Sequence, residues 1–312
     1  MNSRTRLLIL FILLINPAAC KSRSVPGASI NSFAILTASP TGSPTGTVTA
    51  TITATPQPRT TATAILPTAT PEIPQCMRQG GSIEIKQLQT DLLPEPLIFR
   101  IYLPPCYSEN KSQQYPVLYL VHGQSFSDDQ WERLKAGEIT DRLIEAGEFP
   151  AFIIVMPRDR SLFQQPDQDH FGDAVVQVLV PWIDQHYRTL TERKYRAVGG
   201  LSRGGGWALH IGLSHWELFG AVGLHSLAIF WTDTFYIKKW LSAIPEGKMP
   251  RLYLDIGNND REEIRESASW FENLLTQRDI PHEWHVFTGY HDEVYWGGHV
   301  ETYLRWYVQA WQ

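Results

Sequence analysis

The chain has 312 residues, a formal net charge of −5 and 12% aromatic residues, among them 11 tryptophans. No stretch gathers Lys and Arg on one face, so a phosphate-backbone partner has no electrostatic support and nucleic-acid binding is not expected. Composition changes after the first quarter, leaving about 240 residues able to bury a core, which suits one large α/β domain.

Arg4 and Arg6 precede an apolar run from Leu7 to Ile15, closed by Asn16-Pro17 and followed by Ala18-Ala19-Cys20. A run of about nine residues is too short to span a bilayer, so residues 1–20 read as an export signal. Ala18-Ala19-Cys20 resembles the end of a bacterial lipobox and makes Cys20 a candidate lipidation site, although Pro17 stands where that motif usually has an aliphatic residue. Ordinary cleavage near Ala19 and an uncleaved signal anchor are the alternatives, and all three place the domain outside the cytoplasm. Residues 21–75 are dominated by Thr, Pro, Ala and Ser, as in Pro40-Thr41-Gly42-Ser43-Pro44-Thr45. Such a segment cannot bury a core and should act as a semi-stiff tether, so membrane contact is expected only through the N-terminal anchor. The catalytic domain is expected over 76–312. With Cys20 lipidated, Cys76 and Cys106 remain as a pair in an oxidising compartment, and a disulfide closing a loop of about 30 residues is expected.

Ser82 to Gln89 and Leu97 to Leu103 suit an antiparallel edge on either side of a turn carrying Pro94 and Pro96. Pro116 to Gly123 is almost wholly apolar and reads as a strand covered on both faces. A helical pattern follows from Asp129 to Ala146, then a buried strand, Phe152 to Pro157, and a helix from Asp173 to Tyr187 that Pro181 should kink. The alternation continues with strands Tyr195–Gly200, Ala221–His225, Arg251–Gly257 and His282–Phe287, and with helices after Ser202, over 261–278 and over 295–309. Repeated strand-helix units predict a mostly parallel sheet with helices on both faces and working residues at the carboxyl ends of its strands.

Gly200-Leu201-Ser202-Arg203-Gly204 lies at one such end. Small residues two positions either side of a serine permit the sharp strand-to-helix turn that exposes its hydroxyl, so the stretch reads as a nucleophile elbow. An activated serine needs a base and an acid that orients it. Asp260, in the loop after strand 251–257, is the expected acid, and Asp255, within that strand, is its competitor. His291 follows strand 282–287 directly and is the expected base, with His299 its rival on the final helix and His285 structural. Backbone N–H groups of Arg203 and Gln124 are the expected oxyanion donors. His122 lacks companion ligands at usable spacing, so it reads as structural, and no metal or cofactor is expected.

Tyr119-Leu120-Val121-His122-Gly123, Gly200-Leu201-Ser202-Arg203-Gly204-Gly205, Asp260 after a Gly-ending strand, and Gly289-Tyr290-His291-Asp292 with Trp296 resemble the esterase D or enterochelin-esterase-like α/β-hydrolases. That resemblance covers roughly Ser82 to Trp311 and implies an α/β-hydrolase fold. In that family the histidine precedes a tryptophan by five positions, which supports His291 over His299. Tyr290 departs from a common glycine. Cys106, in a turn that often has glycine, strengthens the expected disulfide.

Arg158, Arg203, Trp207, His225, Trp231 and Trp296 are candidate cleft residues, because they fall in or near the same loops. The leading expectation is a secreted or surface-tethered serine carboxylesterase acting on a small-molecule or carbohydrate-linked ester. An acyltransferase passing the acyl group to a sugar or lipid hydroxyl, and an inactive tethered binding domain, are the alternatives.

Overall fold

The computed structural model describes residues 73–161 and 163–312. The expected export signal, Cys20 and nearly all of the expected tether lie outside the described residues.

A short helix α1 (Gln75–Arg78) leads into β1 (Ser82–Leu88) and β2 (Leu97–Leu103), which pair antiparallel. β3 (Val117–Val121) is followed by α2 (Gln130–Arg133) and α3 (Ala136–Glu145), where a single helix was expected. The break falls at Leu134-Lys135. Lys135 adopts φ 68°, a left-handed turn that no glycine announces in the sequence. β4 (Ile153–Pro157) leads to α4 (Phe171–Ala174), a π-helical turn (Val175–Leu179) and α5 (Val180–His186). Pro181 is the second residue of α5. The wide turn before it absorbs the missing N–H, so the expected kink takes the form of a π-bulge.

The remaining elements are β5 (Arg196–Leu201), α6 (Arg203–Ser214), β6 (Ala221–His225), α7 (Ile237–Ala243), β7 (Arg251–Gly257), α8 (Glu262–Thr276), β8 (Glu283–Phe287) and α9 (Glu293–Val308). The eight strands form one sheet in the order β1-β2-β4-β3-β5-β6-β7-β8. β2 also pairs antiparallel with β4, and β3 to β8 are parallel. This is the α/β-hydrolase fold.

Strand residues alternate between two apolar layers, as a pleated ribbon requires. Val117, Tyr119 and Val121 of β3 join one layer, with Ile183 of α5, Leu209 of α6, Ile237 of α7 and Phe271 of α8. Leu118 and Leu120 join the other, with Leu143 of α3 and Val300, Tyr303 and Leu304 of α9. Cys76 and Cys106 are joined in a disulfide, their Cα atoms 5.0 Å apart, which ties α1 to the turn after β2.

The second layer has an unusual polar centre. Gly199 of β5 and Gly223 of β6 are direct neighbours in register, and a Cβ on either would overlap the hydroxyl of Tyr307. Through this notch the Tyr307 O–H reaches His225 Nε2 at 3.0 Å. His225 Nδ1 is 2.7 Å from Asp255 Oδ1, while the other carboxylate oxygen accepts from Tyr295 at 2.6 Å and Tyr303 at 2.9 Å. Burial, with the Asp255 charge second, pushes the Tyr295 and Tyr303 hydroxyls far up, so both stay protonated and donate.

Candidate active site

Ser202 closes β5 and caps α6 with φ 55° and ψ −115°, a strained conformation for a residue with a Cβ. Its N–H donates to the carbonyl of His225 at 2.8 Å, and its carbonyl accepts from Gly206 and Ala228. The glycines on either side are steric requirements. A Cβ at Gly200 would overlap the Gly204 backbone, and one at Gly204 would overlap the carbonyls of Val121 and His122. The elbow is therefore wedged against the end of β3.

The loops after β7 and β8 hold each other. Asn258 N–H donates to Phe287 O, Asn259 N–H to Gly289 O, and Gly289 N–H to Asn258 Oδ1. Their close approach needs Gly257, where a Cβ would lie 2.5 Å from Gly289 O. As a result Asp260 and His291 come together, with Nδ1 and Oδ1 2.7 Å apart. This contact is short but off the ring N–H axis, so it acts as an electrostatic pairing. Asp260 Oδ1 also accepts from the N–H of Arg261 at 2.7 Å. His291 Nε2 lies 2.9 Å from Ser202 Oγ, in position to accept its proton. Trp296 packs T-shaped against the His291 imidazole, centroids 5.0 Å apart, and anchors its own indole N–H on Ser226 Oγ at 3.0 Å.

The competing residues are elsewhere. Asp255 is buried under the three donors described above. His299 donates Nδ1–H to the Tyr295 carbonyl and stacks on Phe287. His285 lies on β8 against Tyr253 and Phe287.

Ser202 opens into a cavity of ≈ 510 Å³, a volume that suits a small ligand, lined also by Gln124, Phe126, Phe163, Arg261, His291 and Trp296. Of the candidate cleft residues, only Trp296 borders it. Trp207 is fully buried and donates its indole N–H to Asp159 at 2.8 Å. His225 is fully buried because it shares a sheet face with Gly223 and points under α9. Trp231 is 61% exposed, edge-on to Phe235, and does not border this cavity. Arg158 pairs with Asp128 and lines neighbouring cavities with Glu95 and Arg160. The Arg203 guanidinium is also removed from the cleft. It is buried, with Nε donating to Asp159 Oδ2 at 2.7 Å, so only its backbone remains available.

Asp159 and Gln130, which hold the backbone around the candidate site, are not indicated by the sequence reading above. Asp159 follows the carboxyl end of β4, on the same edge as Ser202, and that placement was the available signal. It joins the elbow to the turn after β3, because its N–H donates to His122 Nε2 at 3.0 Å. Gln130 is fully buried and accepts the Gly123 N–H on Oε1 at 2.8 Å. Among the described residues, nothing accepts from the Gln124 N–H, and the Arg203 N–H, at the first position of α6, has no intrahelical acceptor. No group of three or more His, Cys, Asp or Glu among the described residues could hold a metal ion.

The chain is similar in sequence and in fold to known proteins. A 136-residue segment is 35% identical to an endo-1,4-beta-xylanase/feruloyl esterase of Xylanibacter ruminicola, covering 40% of this chain and 19% of that protein. A 240-residue alignment with an esterase of Mycobacterium tuberculosis is 26% identical and covers 61% of this chain and 51% of that one. The chain thus spans about half of the length of one of these relatives and about a fifth of the other. In structure it is similar to a ferulic acid esterase, with a TM-score of 0.65 at 25% identity over 74% of this chain and 99% of that one. A fluorophosphonate-binding serine hydrolase of Staphylococcus aureus shares the fold, with a TM-score of 0.61 at 15% identity over 74% and 99% of the two chains. The family model described as "Putative esterase" matches residues 91–309, and the chain belongs to that family.

Proposed function

We propose that this protein is a serine carboxylesterase. In this reading Ser202 Oγ attacks the ester carbonyl while His291 Nε2 takes its proton, and Asp260 stabilises the imidazolium. The oxyanion receives the backbone N–H groups of Gln124 and Arg203, each of which typically lowers the barrier by about 3 kcal/mol. His291 then returns the proton to the leaving alcohol, and water, deprotonated by the same histidine, releases the acid.

The observation that carries this reading is the 2.9 Å approach of His291 Nε2 to a serine held at φ 55°. A strained, glycine-wedged strand-to-helix turn that holds a serine against a histidine is the signature of a presented nucleophile. Phe126, Phe163 and Trp296 give the cavity an aromatic wall suited to an aryl acyl group. The similarity to feruloyl and ferulic acid esterases points the same way. The expected export signal and the Thr/Pro-rich composition of the segment after it favour an extracytoplasmic enzyme held out on a tether. Among the described residues no helix is long and apolar enough to cross a membrane.

A panel of acetyl, butyryl and feruloyl esters, each with and without an added alcohol acceptor, tests the proposal. Wild type is expected to release acid, with feruloyl esters among the better substrates, and Ser202→Ala to release none above background. Equal rates in wild type and variant would end it.

A further inference from the structure

His122 lies beside the proposed oxyanion site without touching it, and its hydrogen bonds constrain that site closely. Its Nδ1 is 2.8 Å from the carbonyl oxygen of Gly123. A carbonyl only accepts, so Nδ1 carries the proton and Nε2 must be an acceptor. The Asp159 N–H satisfies that requirement at 3.0 Å. Both contacts demand the same neutral tautomer. Burial, the largest effect on this ring, pushes its pKa down and preserves that form.

The Gly123 carbonyl belongs to the same planar peptide unit as the Gln124 N–H, and in a trans peptide the two point in opposite directions. Fixing the carbonyl towards His122 therefore fixes the N–H away from it. The preceding peptide is fixed too, because the Gly123 N–H donates to Gln130 Oε1 at 2.8 Å. Gly123 is thus gripped on both sides by fully or almost fully buried side chains.

We infer that His122 and Gln130 are positioning residues that clamp Gly123 and so hold the Gln124 N–H ready for the oxyanion. The inference rests on the esterase reading above. Asp159 extends the clamp to the second donor. Its backbone sets the His122 tautomer, while its carboxylate accepts from Arg203 Nε at 2.7 Å and Trp207 Nε1 at 2.8 Å, anchoring the first turn of α6. Both proposed oxyanion donors therefore share one buried network.

Gln130 gives the cleaner test, because among the described residues its Nε2 has no partner and only Oε1 does the clamping. Gln130→Met removes the acceptor at similar volume, whereas Gln130→Glu keeps an acceptor at the same position. kcat and KM for an acetyl ester, and Ki for a trifluoromethyl ketone that adds to Ser202 as an oxyanion, would be measured for both variants beside wild type. For Gln130→Met, kcat should fall about 10- to 100-fold with KM within about twofold, and Ki should rise in proportion, because one oxyanion donor is misaimed rather than absent. Gln130→Glu should retain most of the activity. A merely structural role predicts the reverse order, since an acid buried at this position disturbs packing more than methionine does.

His122→Phe should reproduce the Gln130→Met pattern. If it fails to fold, the Gln130 pair still decides. Folded Gln130→Met with kcat and Ki within about twofold of wild type would overturn the clamp while leaving the esterase reading intact. Failure of the esterase reading looks different: wild type itself would neither hydrolyse esters nor bind the ketone, and the clamp would fall with it.

Discussion

Removing one hydroxyl from the polar centre beneath the sheet should have a measurable effect on stability. Tyr303 donates to Asp255 Oδ2 at 2.9 Å, and its ring stacks on His225 with centroids 3.7 Å apart. Tyr303→Phe keeps the stack and deletes only the donor. A hydrogen bond to a charged group contributes about 1.5–3 kcal/mol net, so the variant should lose that much. For a domain of this size the loss corresponds to a fall in Tm of roughly 3–12 °C. Tyr295→Phe deletes the other donor to Oδ2 and should cost a similar amount. The double variant should cost more than the sum, because the first deletion leaves the carboxylate oxygen one donor and the second leaves it none. Urea unfolding followed by tryptophan fluorescence gives all three values. A loss below about 0.5 kcal/mol for Tyr303→Phe, or strict additivity in the double variant, would refute the reasoning that Asp255 is an anion held by its donors.

Other expectations follow from the same structure. Replacing Cys76 and Cys106 by serine frees a loop closed over a sequence separation of 30 residues. In the chain-entropy model this costs about 3–4 kcal/mol, and calorimetry should show Tm lowered by roughly 6–16 °C. An unchanged Tm would mean the bond adds nothing. Burial lowers the pKa of His122 and of His215, so below pH 6.5 the unfolded chain binds protons that the folded chain refuses. Their contribution to stability is complete above that pH and is lost as pH falls towards the folded values, with a slope of at most about 1.4 kcal/mol per pH unit for each group. Denaturation midpoints between pH 8 and 5 should fall less steeply in His122→Phe than in wild type, and parallel curves would contradict this. Gly204→Ala would drive a Cβ into the carbonyls of Val121 and His122. It should destabilise the fold by about 1–3 kcal/mol and displace the elbow enough to abolish ester hydrolysis, and full activity in this variant would contradict the wedged geometry.

Much of the architecture was legible because strands announce themselves as short, predominantly apolar runs bounded by turn residues. Leu97–Leu103, Ala221–His225 and Arg251–Gly257 appear with the boundaries read from sequence. The helix expected over 129–146 was read as continuous because Lys135 gives no hint that it turns left-handed. The meeting of Ser202, His291 and Asp260 follows from chain order and the rule that loops at strand carboxyl ends converge. The cleft wall was read less well, because an aromatic ring near a motif carries no record of which way it points. For His225 a signal existed. Val222 and Leu224 share one layer, so period-two alternation puts His225 on the opposite face, under α9. Gln130 was invisible for another reason, and Asp159 offered only its place after β4. Gln130 acts through one hydrogen bond to the Gly123 backbone, and Asp159 through bonds to His122, Arg203 and Trp207 on other elements; no local pattern encodes such contacts.

The most direct measurement of the central proposal is the site of covalent modification by a fluorophosphonate. Incubation of the purified protein with excess probe, followed by intact-mass and peptide mass spectrometry, should give one adduct per chain on the Ser202 peptide. Ser202→Ala should give none, and His291→Ala should slow its formation by several orders of magnitude. An unlabelled wild type, or an adduct on any other residue, would contradict the assignment of Ser202 as the nucleophile.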